Sequence, residues 1–456
     1  MQDTQDMYSL SFMVTKFKED NKWVLYNWFN TSNVVISDTE HPLYAILEDN
    51  VVCFDPFLYR ESQSDFDFLV EDFFLVNTQD VIRTMVVDKY NTTIDKHNLS
   101  LTLLPVEQEC NFNCVYCSQR HHARDRMGTT DLNILKEFLC KQELQTLRID
   151  YFGGEPLLNV DFIVQCNQMA IELAQKNKFD FIGSSITTNG YMLNRELFKQ
   201  LLDLHVTSYQ ITIDGLPEKH DKLRPLSDGN STFDVIYNNL LDIAGISCDL
   251  PFSITLRFNF NYDTLEDSHR TAFYEKMKYF AKDKRFLVMP QAIGNWKNET
   301  NESLYCETNK KTLLQYKCED ELEEMGFYTV STILHSELDA HSCYSSKPNN
   351  LVLFPFSESM NGMKVHKCTL AMESKENNVG LITETGELFL NDNINIWVKN
   401  ELFKNEKCKN CFLVLHCFSN SCPFTNWQNK ETTCPPAKFY EIYLAKRILR
   451  FIAEHS

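Results

Sequence analysis

Long apolar runs are missing from this chain. No stretch approaches the roughly 18 consecutive apolar residues of a membrane helix, although apolar residues make up 43% of the 456 positions. We therefore expect no membrane span. The first residues, Met-Gln-Asp-Thr-Gln-Asp, carry neither the basic nor the apolar segment of a secretory signal, which predicts a cytoplasmic protein.

Positive charge is in deficit. The 44 Lys and Arg residues face 63 Asp and Glu residues, which gives a formal net charge of −19. Nucleic-acid binding normally needs a basic face, so we expect no nucleic-acid partner. The acidity would steer a basic peptide favourably, but solubility alone also explains it. Glycine and proline, 13 of each, are too few for a long disordered linker, and the length predicts two to four domains.

Cysteine, by contrast, is abundant. Sixteen cysteines without an export signal favour metal ligands over disulfides. Cys110, Cys114 and Cys117 lie within eight residues, and thiolates this close can converge on an iron–sulfur cluster or on zinc. Three cysteines would leave one iron of a [4Fe–4S] cluster open to a small molecule. A zinc knuckle and an incidental cluster of cysteines are the alternatives.

Strand and helix patterns alternate from Leu99 to about Ile293, beginning with Leu99, Leu101 and Leu103 between polar residues. Six strands between helices indicate a parallel α/β barrel with two strands fewer than the complete design, hence a laterally open one. The cysteine loop follows the first strand, where such folds place their chemistry. The expected strands are Leu99–Leu103, Thr146–Phe152, Phe181–Thr188, Ser208–Ile213, Phe252–Phe260 and Arg285–Met289.

Residues 1–97 predict a small winged-helix-like α+β module. The first half has a three-stranded meander pattern, over Tyr8–Phe17, Trp23–Phe29 and Asn33–Ser37. Three helices follow, and we place the N-cap of the first at Asp38. The apolar residues that indicate the first helix are Leu43, Ile46 and Leu47. Those of the second are Phe66, Phe68, Leu69, Phe73 and Phe74, and those of the third are Val81, Met85 and Val86.

The spacing Cys110, Cys114, Cys117, with Tyr116 before the third cysteine, resembles the radical S-adenosylmethionine (SAM) family. The resemblance implies a core over residues 98–293 and a [4Fe–4S] cluster on these cysteines, with SAM on the open iron. A reduced cluster would cleave SAM to a 5′-deoxyadenosyl radical that abstracts hydrogen from a substrate. A flavodoxin or ferredoxin would supply the electron.

Later strand ends resemble the family's SAM-binding segments. In the Gly153-Gly154-Glu155-Pro156 motif, the resemblance assigns Glu155 to the SAM amino group, and the glycines permit close approach of backbone to a ligand. Thr187 and Asn189 would contact polar groups of SAM, and Asp214 belongs to the family's next segment. Arg224 would bind the SAM carboxylate through its guanidinium; a surface ion pair is the alternative.

After a bridging region over residues 294–340, with a polar helix expected at Leu313–Met325, residues 341–456 resemble the SPASM extension of radical SAM maturases. Spacings from Gly362 to Cys368 and from Cys417 to Cys422 are each one residue longer than usual. The alternative is a pair of zinc ribbons. By position, one auxiliary [4Fe–4S] cluster would use Cys408, Cys411, Cys417 and Cys434; the other would use Cys343, Cys368 and Cys422, with Cys306, Cys318 or an open iron as the fourth site.

These resemblances imply three [4Fe–4S] clusters, SAM, and an enzyme that crosslinks a ribosomally made precursor peptide through a thioether or carbon–carbon bond. The N-terminal module would bind the leader of that peptide by strand addition, or be an extension that only packs on the core. No residue is identified as a general base. The alternatives are an anaerobic sulfatase-maturing type of enzyme that oxidises Cys or Ser on a protein, and a zinc- or cluster-bearing binding scaffold.

Overall fold

The computed structural model describes residues 7–119, 125–247, 251–295, 304–307, 310–330, 342–398 and 402–455. Contacts divide the chain into two compact units. The first comprises residues 1–95, 334–346 and 399–456, and the second comprises 96–333 and 347–398. This grouping cuts across the boundaries placed at 97, 293 and 340, which assign family domains and stay predictions.

The first unit contains the three-stranded antiparallel meander that the sequence predicts, with the middle strand in the centre. Its strands are β2 (Val14–Glu19), β3 (Lys22–Asn27) and β4 (Asn33–Ile36), and β1 (Ser9–Leu10) pairs with β5 (Leu75–Val76). Three helices accompany them, as expected. They are α1 (Pro42–Glu48), α2 (Gln63–Glu71) and α3 (Gln79–Thr93).

Two local predictions for this unit are wrong. The N-cap of α1 is His41, whose Nδ1 accepts a hydrogen bond from the Leu43 amide at 3.1 Å, and not Asp38. Pro42 fixes the start of the helix there, because proline at the first helical position lacks only an amide that would be unpaired anyway. α2 ends at Glu71, so Phe73 and Phe74, which the sequence placed in this helix, lie outside it.

The described C-terminal part of the first unit contributes three more α-helices. They are Val414–Cys417, Pro423–Asn429 and Glu441–His455. The N-terminal and C-terminal stretches touch within this unit: Thr15 Oγ1 donates to Glu441 Oε1 at 2.6 Å, and the rings of Trp28 and Phe412 lie 4.9 Å apart. Residues far apart in the chain therefore share one packing unit.

The second unit is built on an 11-stranded sheet in the order β12-β11-β10-β9-β8-β7-β6-β13-β14-β15-β16. The six expected barrel strands are its parallel centre, which confirms the predicted α/β fold. The strands are β6 (Asn98–Leu103), β7 (Thr146–Tyr151), β8 (Asp180–Thr188), β9 (Val206–Thr212), β10 (Ser253–Phe260), β11 (Phe286–Ala292), β12 (Tyr328–Thr329), β13 (Asn350–Ser357), β14 (Gly362–His366), β15 (Asn378–Thr383) and β16 (Leu388–Leu390).

Two parallel strands that the sequence did not predict extend this centre. β13 pairs with β6, and β12 pairs with β11. β15 and β16 form an antiparallel hairpin that turns at Gly386, where φ is +77°. Over the part of the chain that the structure describes, β12 and β16 end the sheet without pairing to each other, so the barrel is open at its side.

Helices connect the parallel strands, as the βαβ pattern requires. The short helix before Arg224 was not predicted, and the others lie close to their expected positions. They are α4 (Thr129–Cys140), α5 (Val160–Asn177), α6 (Arg195–Asp203), α7 (Pro217–Leu223), α8 (Phe233–Ala244), α9 (Asp267–Met277) and α10 (Lys311–Glu324), with a further turn at Ile394–Trp397. No helix in the described ranges is long and apolar enough to cross a bilayer.

The strands of the barrel alternate in polarity, and this alternation shapes its interior. A polar row runs in register across five neighbouring strands: Thr102, Asp150, Ser185, Ser208 and Ser253. Parallel strands that are packed on both faces are usually apolar throughout. One face of this sheet is instead lined by polar side chains, so the inner face of the barrel can border a cavity.

Candidate active site

The cysteine loop is held by the Gly-Gly-Glu segment after β7. The Gly154 amide donates to Glu107 O at 3.0 Å, and the Glu155 amide donates to Glu109 O at 2.8 Å. A Cβ atom on Gly154 would lie 1.8 Å from Glu109 O, and one on Gly153, where φ is +122°, would lie 2.3 Å from Glu107 O. The glycines thus admit the backbone that leads into the cysteine loop, a role that the sequence did not indicate.

A cavity of about 210 Å³ opens at the carboxyl ends of the parallel strands. All three cysteines of the loop line it, so the structure brings them to one site. Of the predicted SAM-binding residues, Glu155 and Asp214 are not among the lining residues. Those that do line the cavity are Tyr116, Gly153, Gly154, Thr187, Asn189 and Arg224.

Burial controls the state of the free thiols. It raises the pKa of Cys110 to about 12 and that of Cys114 to about 11. Both are therefore protonated at neutral pH without a metal, and binding of a metal centre would release protons. In the described ranges, no three His, Cys, Asp or Glu side chains are placed to share a single metal ion. A [4Fe–4S] cluster makes a different demand, since each iron takes its own thiolate.

Tyr116 is the centre of a hydrogen-bond network beside the cysteines. Its hydroxyl donates to the Asp214 carboxylate and accepts from Arg224 Nη1 at 2.9 Å and from Asn259 Nδ2 at 3.0 Å. Burial raises the pKa of Asp214 and holds that of Tyr116 well above its usual value, so the phenol stays protonated. The network fixes Tyr116 and Arg224 at the wall of the cavity.

Arg224 keeps its charge in this setting. Burial alone would lower its pKa, but the neighbouring Tyr116, Cys114 and Asp214 raise the pKa overall. Its Nε atom is buried without a hydrogen-bond partner among the described residues. Arg224 also lines the cavity, and a charged guanidinium at a cavity wall suits a carboxylate ligand. This position disfavours the alternative of a surface ion pair, because the side chain is only 6% exposed.

Arg257 is a second cation at the cavity, and no motif in the sequence predicted it. It lies within β10, and its Nε donates to Asn259 Oδ1 at 2.8 Å. Burial lowers the pKa of Arg257 from its usual value. The available signal was a charged residue between Leu256 and Phe258 in an alternating strand. Such a residue must face the polar interior of the barrel.

Glu155 is fully buried, and both of its carboxylate oxygens accept hydrogen bonds from other groups of the protein. Oε1 accepts from the Leu157 amide at 3.0 Å and from Thr188 Oγ1 at 2.8 Å, and Oε2 accepts from the Asn189 amide at 2.7 Å. Burial raises the pKa of this carboxyl, and these hydrogen bonds oppose that rise. Asn189 in turn donates to Asn111 Oδ1 at 2.8 Å. The end of β8 is thereby tied to the cysteine loop.

In the first unit, four cysteines surround a small cavity of about 20 Å³. They are the predicted ligands of one auxiliary cluster: Cys408, Cys411, Cys417 and Cys434. Lys438 also lines this cavity; its Nζ lies 3.6 Å from Cys434 Sγ and donates to Lys407 O at 3.0 Å. Burial raises the pKa of Cys417 to about 12. Four converging sulfurs fit the donor set of a [4Fe–4S] cluster.

The other predicted auxiliary group spans both units, and it stays a prediction. Cys343 Sγ lies 3.1 Å from Ser345 Oγ, Cys422 Sγ accepts from Thr425 Oγ1 at 3.2 Å, and Cys368 Sγ accepts from the Leu370 amide at 3.4 Å. The two candidates for a fourth ligand, Cys306 and Cys318, pack in an apolar cluster of the second unit. This environment is typical of buried cysteines that act as small hydrophobic residues.

Comparison with known proteins identifies the central part of the chain. Residues 105–272 match the family model of the Radical SAM superfamily, so the chain contains a radical SAM domain. It is 30% identical over 155 residues to the uncharacterized protein MJ0907 of Methanocaldococcus jannaschii, covering 34% of this chain and 51% of that relative. The chain thus matches only about half the length of that relative.

Two further similarities are broader. The chain is 23% identical over 270 residues to GTP 3′,8-cyclase of Campylobacter jejuni, which covers 57% of this chain and 76% of the relative. The solved structure of native anSMEcpe with bound AdoMet and Cp18Cys peptide aligns with a TM-score of 0.55 at 17% identity, covering 79% of this chain and all of that one. At this identity the likeness shows the fold.

Proposed function

We propose that the protein is a radical SAM enzyme that modifies a ribosomally made precursor peptide. One observation carries the proposal: three cysteines and two guanidiniums face one cavity at the carboxyl ends of the barrel strands. The thiolates of Cys110, Cys114 and Cys117 would hold the SAM-binding [4Fe–4S] cluster. Bound together, the cluster and SAM supply reductive cleavage of SAM and a 5′-deoxyadenosyl radical.

The residues around the cavity divide into those that touch SAM and those that position others. Arg224 lines the cavity with its charged guanidinium and would bind the SAM carboxylate. Thr187 and Asn189 line the same cavity and would contact polar groups of SAM. Glu155 and Asp214 position other residues: Glu155 accepts a hydrogen bond from the Asn189 amide at the end of β8, and Asp214 accepts one from the Tyr116 hydroxyl.

A peptide substrate is supported by the open side of the barrel and its polar inner face, since both leave room for an extended chain. The fold is also that of anSMEcpe, which has been solved with a bound peptide. A leader segment would add to β4, which pairs with β3 alone among the described strands and carries Val35 at 55% exposure. Strand addition to such an edge gives affinity through backbone hydrogen bonds.

The auxiliary cysteines would serve the second half of the reaction. A cluster on Cys408, Cys411, Cys417 and Cys434 would accept the electron that remains after a radical closes a crosslink. A second auxiliary cluster on Cys343, Cys368 and Cys422 would bring the total to three. We further propose a flavodoxin or ferredoxin as the electron donor and the cytoplasm as the location.

An enzyme of the anaerobic sulfatase-maturing type is the second candidate. The support for it is 27% identity over 151 residues to the cysteine-type anaerobic sulfatase-maturating enzyme of Clostridium novyi. A scaffold without turnover is less well supported. The buried Tyr116–Asp214–Arg224 network holds a guanidinium toward the cavity, and a scaffold has no need of such a carboxylate-binding group. Identification of a modified peptide after turnover would separate the two enzymatic candidates.

The first test is anaerobic reconstitution of the full chain with iron and sulfide, followed by dithionite and SAM. We expect 5′-deoxyadenosine from the wild type and none from Cys117→Ala. Cys140→Ala is the matched control, because Cys140 is exposed and lies outside the cavity; it should retain the activity. Zinc in place of iron, or equal activity in all three proteins, would refute the proposal.

A further inference from the structure

Arg257 presents two unused hydrogen-bond donors to the cavity. It pairs in register with Thr212, the last residue of β9, so it lies beside the strand ends at which the cavity opens. Its Nε donates to Asn259 Oδ1 at 2.8 Å. Nη1 and Nη2 donate to no described residue, and neither is enclosed by protein atoms. Both terminal nitrogens are therefore open to the cavity that the side chain lines.

The described part of the protein gives this guanidinium no carboxylate partner. Asp214 belongs to the same network, but its Oδ2 accepts from the Tyr116 hydroxyl and its Oδ1 accepts from the Asn259 amide at 2.9 Å. An arginine keeps its proton at neutral pH, and a charge that is partly removed from water is costly unless it is paired. An anionic ligand group would supply the missing partner.

Arg148 is a useful comparison, because it is an arginine of the same parallel sheet. It lies in β7, and its Nε donates to Asp150 Oδ1 at 2.9 Å, which makes an ion pair. Arg148 does not line the cavity. An arginine in this sheet can thus be paired within the protein, and the one at the cavity is not.

SAM accounts for only one of the two guanidiniums at the cavity. It has a single carboxylate, which Arg224 would bind, and its other charged groups, an ammonium and a sulfonium, are cations. A neutral bridge holds Arg224 and Arg257 at separate positions. The Tyr116 hydroxyl accepts from Arg224 Nη1 at 2.9 Å and from Asn259 Nδ2 at 3.0 Å, and Asn259 Oδ1 accepts from Arg257. The second guanidinium therefore calls for an anion from another molecule.

We propose that Arg257 binds a carboxylate of the substrate peptide, from an Asp or Glu side chain or from the peptide's C-terminus. The inference rests on the proposed function, in which a peptide enters the cavity beside SAM. A guanidinium binds a carboxylate through two parallel hydrogen bonds, for which Nη1 and Nη2 are both available. β10 lies two strands from β12, at one end of the open sheet. Arg257 is thus a specificity-determining residue, which selects acidic peptides and fixes them relative to SAM.

The test is a double-mutant cycle between the side chain and the probe. The probes are N-acetylaspartate N-methylamide and its uncharged isostere, N-acetylasparagine N-methylamide, because their binding does not depend on a leader. Their affinities for the cluster-loaded, SAM-bound full chain are measured anaerobically. The wild type should bind the aspartate probe roughly tenfold more tightly than the asparagine probe, the size expected for a hydrogen bond to a charged group. Arg257→Gln should remove this preference.

A second pair of probes distinguishes the two sources of the carboxylate. N-acetylalanine carries a C-terminal carboxylate, and N-acetylalanine amide is its neutral counterpart. A preference that depends on Arg257 in this pair assigns the group to the C-terminus, and one in the aspartate pair assigns it to a side chain. Either result supports the proposal.

Two protein controls accompany the cycle. Arg148→Gln is the matched control, since Arg148 is paired and lies outside the cavity; it should keep the full preference. Arg257→Lys retains the charge without the planar fork, so it should keep more of the preference than Arg257→Gln does. SAM itself should bind to Arg257→Gln as tightly as to the wild type.

The outcomes separate this inference from the function on which it rests. If the wild type binds SAM but prefers neither carboxylate probe, or if Arg257→Gln keeps the preference, the inference is overturned and the function stands. If Arg257→Gln weakens SAM binding tenfold instead, Arg257 belongs to the SAM site and the inference is wrong. If the loaded wild type does not bind SAM, both the function and the inference fail.

Discussion

Replacing Glu155 with Gln should open the site locally before any ligand is added. The carboxylate is 0% exposed and accepts from Leu157 N, Thr188 Oγ1 and Asn189 N at 2.7–3.0 Å. A glutamine there turns one acceptor into a donor that faces another donor, which costs about 1–3 kcal/mol. Loss of charge on the remaining bonds costs about 1 kcal/mol more.

The sum, about 3 kcal/mol, corresponds to roughly a hundredfold rise in the local opening equilibrium. Hydrogen exchange of the apoprotein measures it directly. We expect faster exchange at residues 155–160 and 186–191 and no change in α8. Glu172→Gln, at an exposed position of α5, is the control. Unchanged exchange in Glu155→Gln, together with weaker SAM binding, would refute a positioning role and favour direct contact with the ligand.

The raised pKa of Glu155 predicts that the difference in stability between the wild type and Glu155→Gln depends on pH. Its pKa lies above the usual 4.5 in the folded protein because burial disfavours the charged form. This shift stabilises the folded protein fully at pH values below the pKa of Glu155 in the unfolded chain. The stabilisation is lost as the pH rises through the pKa of Glu155 in the folded protein. The free energy of unfolding of the wild type, relative to Glu155→Gln, should therefore fall as pH rises above about 4.5; a rise would contradict the direction of the shift.

Three further changes test the rest of the site. Gly154→Ala should lower the amount of iron retained after reconstitution, because the new Cβ would lie 1.8 Å from a backbone oxygen. Gly128→Ala is the control and should retain all of its iron, because no atom lies within 4 Å of a Cβ at that position. Equal iron retention in the two variants would contradict this prediction. Lys438→Met should make the reduction potential of the proposed auxiliary cluster on Cys408, Cys411, Cys417 and Cys434 about 59 mV more negative, which is a tenfold change in equilibrium constant for one electron. An EPR-monitored redox titration measures this shift, and the Lys430→Met control should not show it. Arg224→Lys should weaken SAM binding roughly tenfold but leave decarboxylated SAM unaffected; equal losses would place Arg224 elsewhere.

The alternation of the barrel strands made much of the fold predictable. Each strand from β6 to β11 alternates apolar residues that face the helices with polar residues that face the barrel interior. This alternation predicts the position of each strand to within a few residues. The pairing of β13 with β6 joins Asn350 to Ser100, some 250 positions away. No local pattern specifies such a partner, and the sequence analysis did not find it.

The candidate site was predictable where motifs end a strand and was missed where side chains act from within one. Cys110, Cys114 and Cys117 were visible from spacing alone. Arg257 was not, because its role depends on which face of β10 borders the cavity.

The acidic side chains of this site lie behind the cavity wall, whereas the basic side chains line the cavity, and this separation has a physical consequence. Glu155 and Asp214 are fully buried and do not line the cavity. Among the described residues, the charged side chains that line it are Arg224 and Arg257. Thiolate ligands and a carboxylate ligand would all add negative charge to this poorly solvated space. Two guanidiniums without a facing carboxylate stabilise that charge. An acid at the wall would oppose it, so confining the acids to positioning roles favours binding of both the cluster and SAM.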